Sequence, residues 1–320
     1  MVPVNSVSVV IPLLDEEPNL EPLYSKLSAV LPAQASQYEM VFVDDGSTDG
    51  SVALLRSLYD ADPEHVRIIE LRRNFGKTAA LAAGFHQAVG DIIVTMDADL
   101  QDEPAELPGM LAALEQGYDL VMAWRQDRKD TAGKKRSSLI FNAITSRLTG
   151  VSFHDLNCGY KVYRREVIES IRLYSDLHRF IPVLAAWRGF RVTEVPVMHN
   201  PRHAGKSKYG YGRIARGMMD LLMVMFVTRY MRYPLRLFGW LGIGTFLAGM
   251  AINSYLGVLW MIRFLGISDI PAIGTRPLLS VGVLATLIGI QFFSMGLLGE
   301  MVRYFNYRPQ QEYSVRRTWP

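Results

Sequence analysis

The stretch Asp91-Ile92-Ile93-Val94-Thr95-Met96-Asp97-Ala98-Asp99-Leu100-Gln101-Asp102 decides how the chain is read. Ile92 to Met96 is a short apolar run rich in β-branched residues and reads as a buried strand. It ends abruptly in Asp97, Asp99 and Gln101, spaced by two. If the backbone stays extended through them, the three side chains point the same way. Hard oxygen ligands clustered at a strand's carboxyl end suit Mg²⁺ or Mn²⁺, with phosphates completing the shell. The plainer alternative is a polar loop capping a helix, since Asp102, Glu103 and Pro104 resemble a helix start. For an isolated D-x-D the plainer alternative would prevail; the neighbouring segments decide against it.

Upstream, Val7 to Pro12 and Tyr38 to Val43 are strands, and Val66 to Leu71 is a third. Helical patterns lie between and after them: Pro18 to about Leu31, Ser51 to Asp60 with Ser47 or Thr48 as cap, and Thr78 to Val89. Strand and helix alternating at this spacing predict an α/β fold with a doubly wound, mainly parallel sheet. Ligands in such sheets bind outside the carboxyl ends of the strands. Asp15-Glu16, Asp44-Asp45 and the Asp97-Asp99-Gln101 set all fall there. No G-x-G-x-x-G follows the first strand, and no Walker A loop is present.

Four segments together carry a resemblance: Val9-Val10-Ile11-Pro12 with Glu16, Val43-Asp44-Asp45-Gly46-Ser47-Thr48-Asp49, Arg73-Asn74-Phe75-Gly76-Lys77, and Asp97-Ala98-Asp99-Leu100-Gln101-Asp102. In this order they resemble family 2 glycosyltransferases of GT-A fold, in particular the polyisoprenyl-phosphate glycosyltransferases that include dolichyl-phosphate mannose synthases and bactoprenol glucosyltransferases. The resemblance covers roughly residues 5 to 210. It implies a nucleotide-sugar donor, a polyisoprenyl phosphate acceptor, and Mg²⁺ or Mn²⁺. It places Pro12, Leu14 and Glu16 in the base pocket, Asp44 or Asp45 on the ribose or uracil edge, and Lys77 on sugar or phosphate. Asp97, Ala98 and Asp99 face nucleotide and metal, with Gln101 alongside. At Leu14-Asp15 many members carry Tyr-Asn, so a stacking contact to the base is expected to be missing.

The second half of the site lies further along. Asp119 to Trp124 reads as a strand ending in Arg125, and Lys134-Lys135-Arg136 opens an amphipathic helix to about Leu148. A basic helix of this kind can sit at a membrane surface. Arg125, Lys135 and Arg136 are then candidates to hold a lipid phosphate, as the resemblance also implies. Asp155-Leu156-Asn157-Cys158-Gly159-Tyr160-Lys161 resembles the family's D-x-x-C/S-G-F-K/R element, which makes Asp155 a base or an acceptor-orienting carboxylate. The acceptor is a phosphate monoester with a second pKa of about 6, largely deprotonated at pH 7, so the orienting role needs weighing against the base. Strands are also expected at Tyr160 to Arg164 and Arg191 to Val197, with helices at Glu166 to Ile171 and Phe180 to Trp187. Arg202, Lys206 and Lys208 lie in a basic, glycine-containing loop similar to the family's R-x-x-G-x-S-K-Y segment, which implies diphosphate binding. His199 and His203 in the same stretch have no zinc-site companions.

The last third is far more apolar. Tyr211 to Met231 suits an interfacial helix, and Leu237 to Ile262 and Pro277 to Leu298 are long enough to span a bilayer. Arg229, Arg232 and Arg236 precede the first span, and Arg303, Arg308, Arg316 and Arg317 follow the second. Positive-inside bias therefore puts both outer flanks, and with them the catalytic domain and both termini, in the cytoplasm and the short connection outside; the resemblance, whose bacterial branch carries a similar tail, implies a bacterial inner membrane. The expected parts are a GT-A domain over 1–210, a juxtamembrane helix over 211–236, a transmembrane hairpin over 237–302 and a tail over 303–320. Gly239, Gly242, Gly244 and Gly249 permit close helix packing, and a homo-oligomer is a further expectation.

Composition closes off other classes. A net charge of +3 is too small to imply nucleic acid, and one cysteine, Cys158, excludes an internal disulfide or a Cys-based zinc site. Met1 to Val10 has neither the basic start nor the apolar core of a cleavable signal peptide. The expected reaction is inverting transfer of a sugar, with UDP-glucose as first donor and GDP-mannose, UDP-GlcNAc or an amino-arabinose nucleotide as alternatives. A processive polysaccharide synthase would need a Q-x-x-R-W element, which Ala186-Trp187-Arg188 is not. A non-catalytic membrane scaffold would not need the intact acidic set.

Overall fold

The computed structural model describes residues 6–126, residues 153–198 apart from 172 and 174–176, residue 200, residues 233–305 apart from 269, 270, 273 and 275, and a few isolated positions. The described residues fall into two compact units, one within Met1–Val224 and one within Met225–Glu312.

In the first unit the β-branched runs become β1 (Ser6–Leu13), β2 (Gln37–Asp44), β3 (Val66–Glu70) and β4 (Ile92–Thr95). They alternate with α1 (Glu17–Val30), α2 (Ser51–Ala61) and α3 (Lys77–Gln87), and α4 (Leu107–Glu115) follows β4. Then come β5 (Leu120–Arg125), β6 (Lys161–Arg164), α5 (Arg165–Ser170), α6 (Ile181–Trp187) and β7 (Val192–Val197). The strands form one sheet in the order β3-β2-β1-β4-β6-β5-β7. Pairings of β1 with β2 and β4, β2 with β3, and β5 with β7 are parallel. Among the described strands only β6 runs the other way, antiparallel to both β4 and β5. The mainly parallel expectation holds, with this reversed strand as an addition.

Both faces of the sheet are covered, so the inner strands are apolar throughout rather than alternating. Val7, Val9 and Ile11 of β1 pack with Leu20, Leu23 and Leu27 of α1 and with Leu55 of α2. Val10 on the opposite face packs with Leu81 and Phe85 of α3 and with Ile181 and Val183 of α6. Chain order reverses between β1 and β4, which opens the crevice where doubly wound sheets bind ligands.

Local chemistry corrects two expectations. Gly50, not Ser47 or Thr48, is the residue before α2. Ser47 Oγ instead accepts the Asp15 N–H at 2.8 Å, while Asp49 Oδ1 accepts the Ser51 N–H at 3.0 Å. The backbone also does not stay extended after Thr95. Leu100 sits at φ 58, in the left-handed region that a side chain resists. The acidic stretch is therefore a turn, and strand alternation is not what orients Asp97, Asp99 and Gln101.

In the second unit, α7 (Pro234–Phe264) and α8 (Pro277–Phe305) are long and apolar enough to cross a membrane. They pack closely through glycine. A Cβ on Gly242 would lie 2.7 Å from the Phe293 nitrogen, and one on Gly249 would lie 2.5 Å from the Thr286 nitrogen. Asn253 Nδ2 donates to Thr286 Oγ1 at 3.2 Å beside this contact. Two of the four glycines singled out in the sequence thus serve packing within the chain, whereas Gly244 faces open space. Gly249→Leu should cost about 1–3 kcal/mol of stability by forcing the helices apart. Gly257→Leu, at a position with open space around it, should be neutral; thermal unfolding of the detergent-solubilised protein compares the two.

Candidate active site

The crevice is built from loops that leave the carboxyl ends of β1, β2 and β4. The loop after β1 is laced to the loop after β2: Thr48 N–H donates to Asp15 Oδ1 at 2.8 Å, and Glu16 N–H donates to Ser51 Oγ at 3.1 Å. Asp44 is buried and accepts the N–H groups of Gly46 and Ser47. Asp45 is buried too, and its two oxygens accept the Phe75 N–H at 2.7 Å and the Gly76 N–H at 2.9 Å. The Asp44 carboxylate thus shapes its own turn, while that of Asp45 holds the Arg72–Gly76 loop in place and so sets where Lys77, the first residue of α3, projects. Gly46 is required at this junction. Its φ is +80, and a Cβ there would sit 2.6 Å from the Arg73 carbonyl carbon.

Lys77 Nζ pairs with Asp97 Oδ1. Burial works against the Asp97 charge, but Lys77, Lys161 and Arg125 outweigh it and hold the carboxyl below the usual range. The other wall of Asp97 is Gly159, where a Cβ would meet Asp97 Oδ1 at 2.5 Å. Thr95 Oγ1 donates to the Gly159 carbonyl at 2.7 Å and locks this segment to the end of β4. Lys161 is buried and donates to the Cys158 carbonyl. Burial brings its ammonium down to about 8. Burial, followed by the charge of Asp102, pushes the Cys158 thiol up to about 12, so it is an inert core residue. Between these groups lies a small cleft lined in part by Pro12, Lys77, Asp97, Asn157, Lys161 and Arg179.

At the far side Asp155 is buried and pairs with Arg125 through two hydrogen bonds, Nε to Oδ2 at 2.6 Å and Nη2 to Oδ1 at 3.1 Å. The structure thus joins two residues that the sequence singled out separately. Leu14 and Glu16 lie in the loop after β1, Ala98 is buried behind the acidic turn, and Gln101 accepts the Asn200 N–H through its carbonyl at 2.9 Å. Lys135, Arg136, Arg202, Lys206 and Lys208 lie outside the described residues, as do His199 and His203. Lys161, Gly159, Arg179 and Glu194 carry site geometry without having been given roles from the sequence. For Glu194 the available signal was a lone carboxylate in an apolar strand.

The family model for glycosyl transferase family 2 matches residues 8–172, which contain this whole constellation apart from Arg179 and Glu194. The chain belongs to glycosyl transferase family 2. The transferase is 40% identical over 312 residues to a dodecaprenyl-phosphate galacturonate synthase of Rhizobium johnstonii, covering 96% of this chain and 90% of that protein. It is 37% identical over 317 residues to an undecaprenyl-phosphate 4-deoxy-4-formamido-L-arabinose transferase of Klebsiella pneumoniae, covering 98% of this chain and 94% of that protein. Among solved structures, glucosyl-3-phosphoglycerate synthase from Mycobacterium tuberculosis, in complex with Mn²⁺ and UDP-glucose, superposes with a TM-score of 0.53 at 20% identity. That match covers 69% of this chain and 79% of the other, and it shows the GT-A fold.

The acidic turn of the transferase fits a divalent cation. Among the described residues no group of three or more Asp, Glu, His or Cys side chains forms a ready cage. Mg²⁺-type sites that serve phosphate substrates use one or two carboxylates and take the remaining oxygens from substrate and water. Asp97 and Asp99 would be such a pair, with Gln101 two residues on. Burial, together with the charges of Asp97 and Asp99, outweighs Arg125 and Lys77 and pushes the Asp102 carboxyl up to about 7. A cation bound beside them would lower that value and release a proton. Mn²⁺ binding in the presence of UDP should therefore tighten as pH rises toward about 7 and level off above it. Calorimetry in buffers of different ionisation enthalpy reads the proton released, and Asp102→Asn should flatten the dependence.

Proposed function

We propose that this transferase moves a sugar from a UDP-sugar onto the phosphate of a polyisoprenyl phosphate, at the cytoplasmic face of a membrane. The observation that carries the reading is the closeness of two kinds of anion site at one sheet edge. The Lys77–Asp97 pair with Asp99 makes a donor side, and the buried Arg125–Asp155 pair makes an acceptor side. The curated relatives named above act on just such lipids, and α7 and α8 supply an anchor for a protein whose acceptor stays in the bilayer.

A phosphate oxygen of the lipid forms the new bond to the anomeric carbon while the bond to the nucleoside diphosphate breaks, so the electron pair leaves with UDP. In-line attack inverts the anomeric centre. A divalent cation, Mg²⁺ or Mn²⁺, held by Asp97, Asp99 and Gln101 would neutralise charge on the departing diphosphate. The attacking phosphate carries roughly −1.5 to −2 charge at pH 7 and needs little help to lose a proton. Asp155, engaged in two hydrogen bonds with Arg125, therefore acts by orienting that guanidinium toward the phosphate. Asp44 and Asp45 shape the nucleotide pocket through the loops they hold. Arg202, Lys206 and Lys208 would close over the diphosphate, and Lys135 and Arg136 would meet the lipid headgroup.

For the donor sugar, the relatives point away from UDP-glucose and toward an acidic or N-substituted sugar. The cleft supports the acidic one. Its lining brings Lys77, Lys161 and Arg179 against a single carboxylate, Asp97. The test supplies membranes containing the protein with undecaprenyl phosphate, Mn²⁺ and each labelled donor in turn, including UDP-galacturonate, UDP-glucose and a UDP-4-formamido-arabinose, and follows label into the organic phase. Transfer from none of them by folded protein would refute the reading. Asp99→Asn should lower transfer by at least about 100-fold while the protein stays folded and membrane-bound.

A further inference from the structure

Glu194 sits on β7 across from Met122 of β5, with only 10% of its side chain exposed. Nothing in the donor or acceptor chemistry calls for a carboxylate there. Its oxygens nevertheless converge on the segment that carries Asp155. Oε1 accepts the His154 N–H at 2.9 Å and the Asp155 N–H at 3.1 Å. Oε2 shares the His154 N–H at 3.0 Å and lies 2.8 Å from His154 Nδ1. The His154 ring stacks on Trp124 with centroids 4.2 Å apart, and Trp124 directly precedes Arg125. Arg125 and Asp155 are thus braced from behind: one by the stacked ring next to it in the chain, the other through its backbone.

We propose that Glu194 is a positioning residue for the transfer, holding the backbone of His154 and Asp155 so that the Asp155 carboxylate keeps Arg125 aimed at the acceptor phosphate. The inference rests on the acceptor role given above to Arg125 and Asp155. Its physical basis is directional. Two backbone N–H donors on consecutive residues converge on one carboxylate, both reaching Oε1 and the His154 N–H also reaching Oε2, and a loop with both donors held by one fixed side chain has little freedom to swing. Position matters here more than charge. A glutamine keeps Oε1 where both amides find it, and an aspartate withdraws the acceptor by one methylene while keeping the charge.

The experiment compares Glu194→Gln and Glu194→Asp in the full-length membrane protein, using the lipid-transfer assay with the best donor. Glu194→Gln should keep activity within about threefold of the parent, and Glu194→Asp should lose roughly 10- to 100-fold in kcat/KM for the lipid. Binding of UDP with Mn²⁺ should be unchanged in both, since the donor side does not touch this brace. Equal activity of the two variants, or a matching loss of UDP affinity, would overturn the proposal. A double-mutant cycle gives a second test. In an Asp155→Asn background, Glu194→Asp should cost little more, because the group it positions is already gone; fully additive losses would count against the proposal. Asp155→Asn with full activity would instead refute the acceptor reading. If Asp155→Asn leaves too little activity for the cycle, the Gln and Asp pair decides alone.

Discussion

Charge held at one edge of a covered sheet is the constraint on which the rest of this structure depends. Asp97, Asp99, Asp102 and Asp155 are brought there with Lys77, Lys161 and Arg125, mostly out of water. Ionised groups so placed are tolerated only when partners and hydrogen bonds are supplied together. The transferase meets this through backbone as much as through ion pairs. Gly159 leaves room for the Asp97 carboxylate, Asp45 secures the loop that delivers Lys77, and Glu194 fixes the peptide behind Asp155. The cleft, whose lining sets Lys77, Lys161 and Arg179 against the one carboxylate of Asp97, suits an anionic substrate.

Much of this was legible in the chain. The apolar runs ending in Asp44-Asp45 and Asp97-Asp99 marked both the strands and the end of the sheet where ligands bind, because fully buried parallel strands leave short continuous signatures. The two long apolar helices were equally plain, though the second runs on past Leu298 to Phe305, through a turn whose Glu300 and Arg303 break the apolar run. What could not be read were contacts between side chain and backbone over long separations. Asp45 reaches Phe75, and Glu194 reaches Asp155, with no periodicity to announce either. The left-handed turn at Leu100 was hidden for a different reason: leucine carries no turn signal, so the spacing of two in the acidic stretch looked like strand alternation.

Antiparallel β6 was also invisible, since four residues of a buried strand have no direction in their composition. Its effect on function is nonetheless large. By running between β4 and β5 it brings the Asp155–Lys161 segment back to the carboxyl end of β4, where Gly159 meets Asp97. A parallel strand in that place would have sent the same segment to the opposite edge of the sheet. Donor and acceptor sides are neighbours because one strand is reversed.

The same strand has a consequence for synthesis. β4 pairs with β1 on one side as soon as residue 95 has emerged, but its other edge waits for Lys161–Arg164. Until then Ile92–Thr95, apolar and rich in β-branched residues, presents an unpaired edge of the kind that captures stray strands. The polypeptide must be carried about 65 residues further before that edge is sealed, a delay of several seconds at ordinary translation rates. The nascent chain thus carries an open strand edge between its two half-sites, well before the apolar α7 and α8 leave the ribosome.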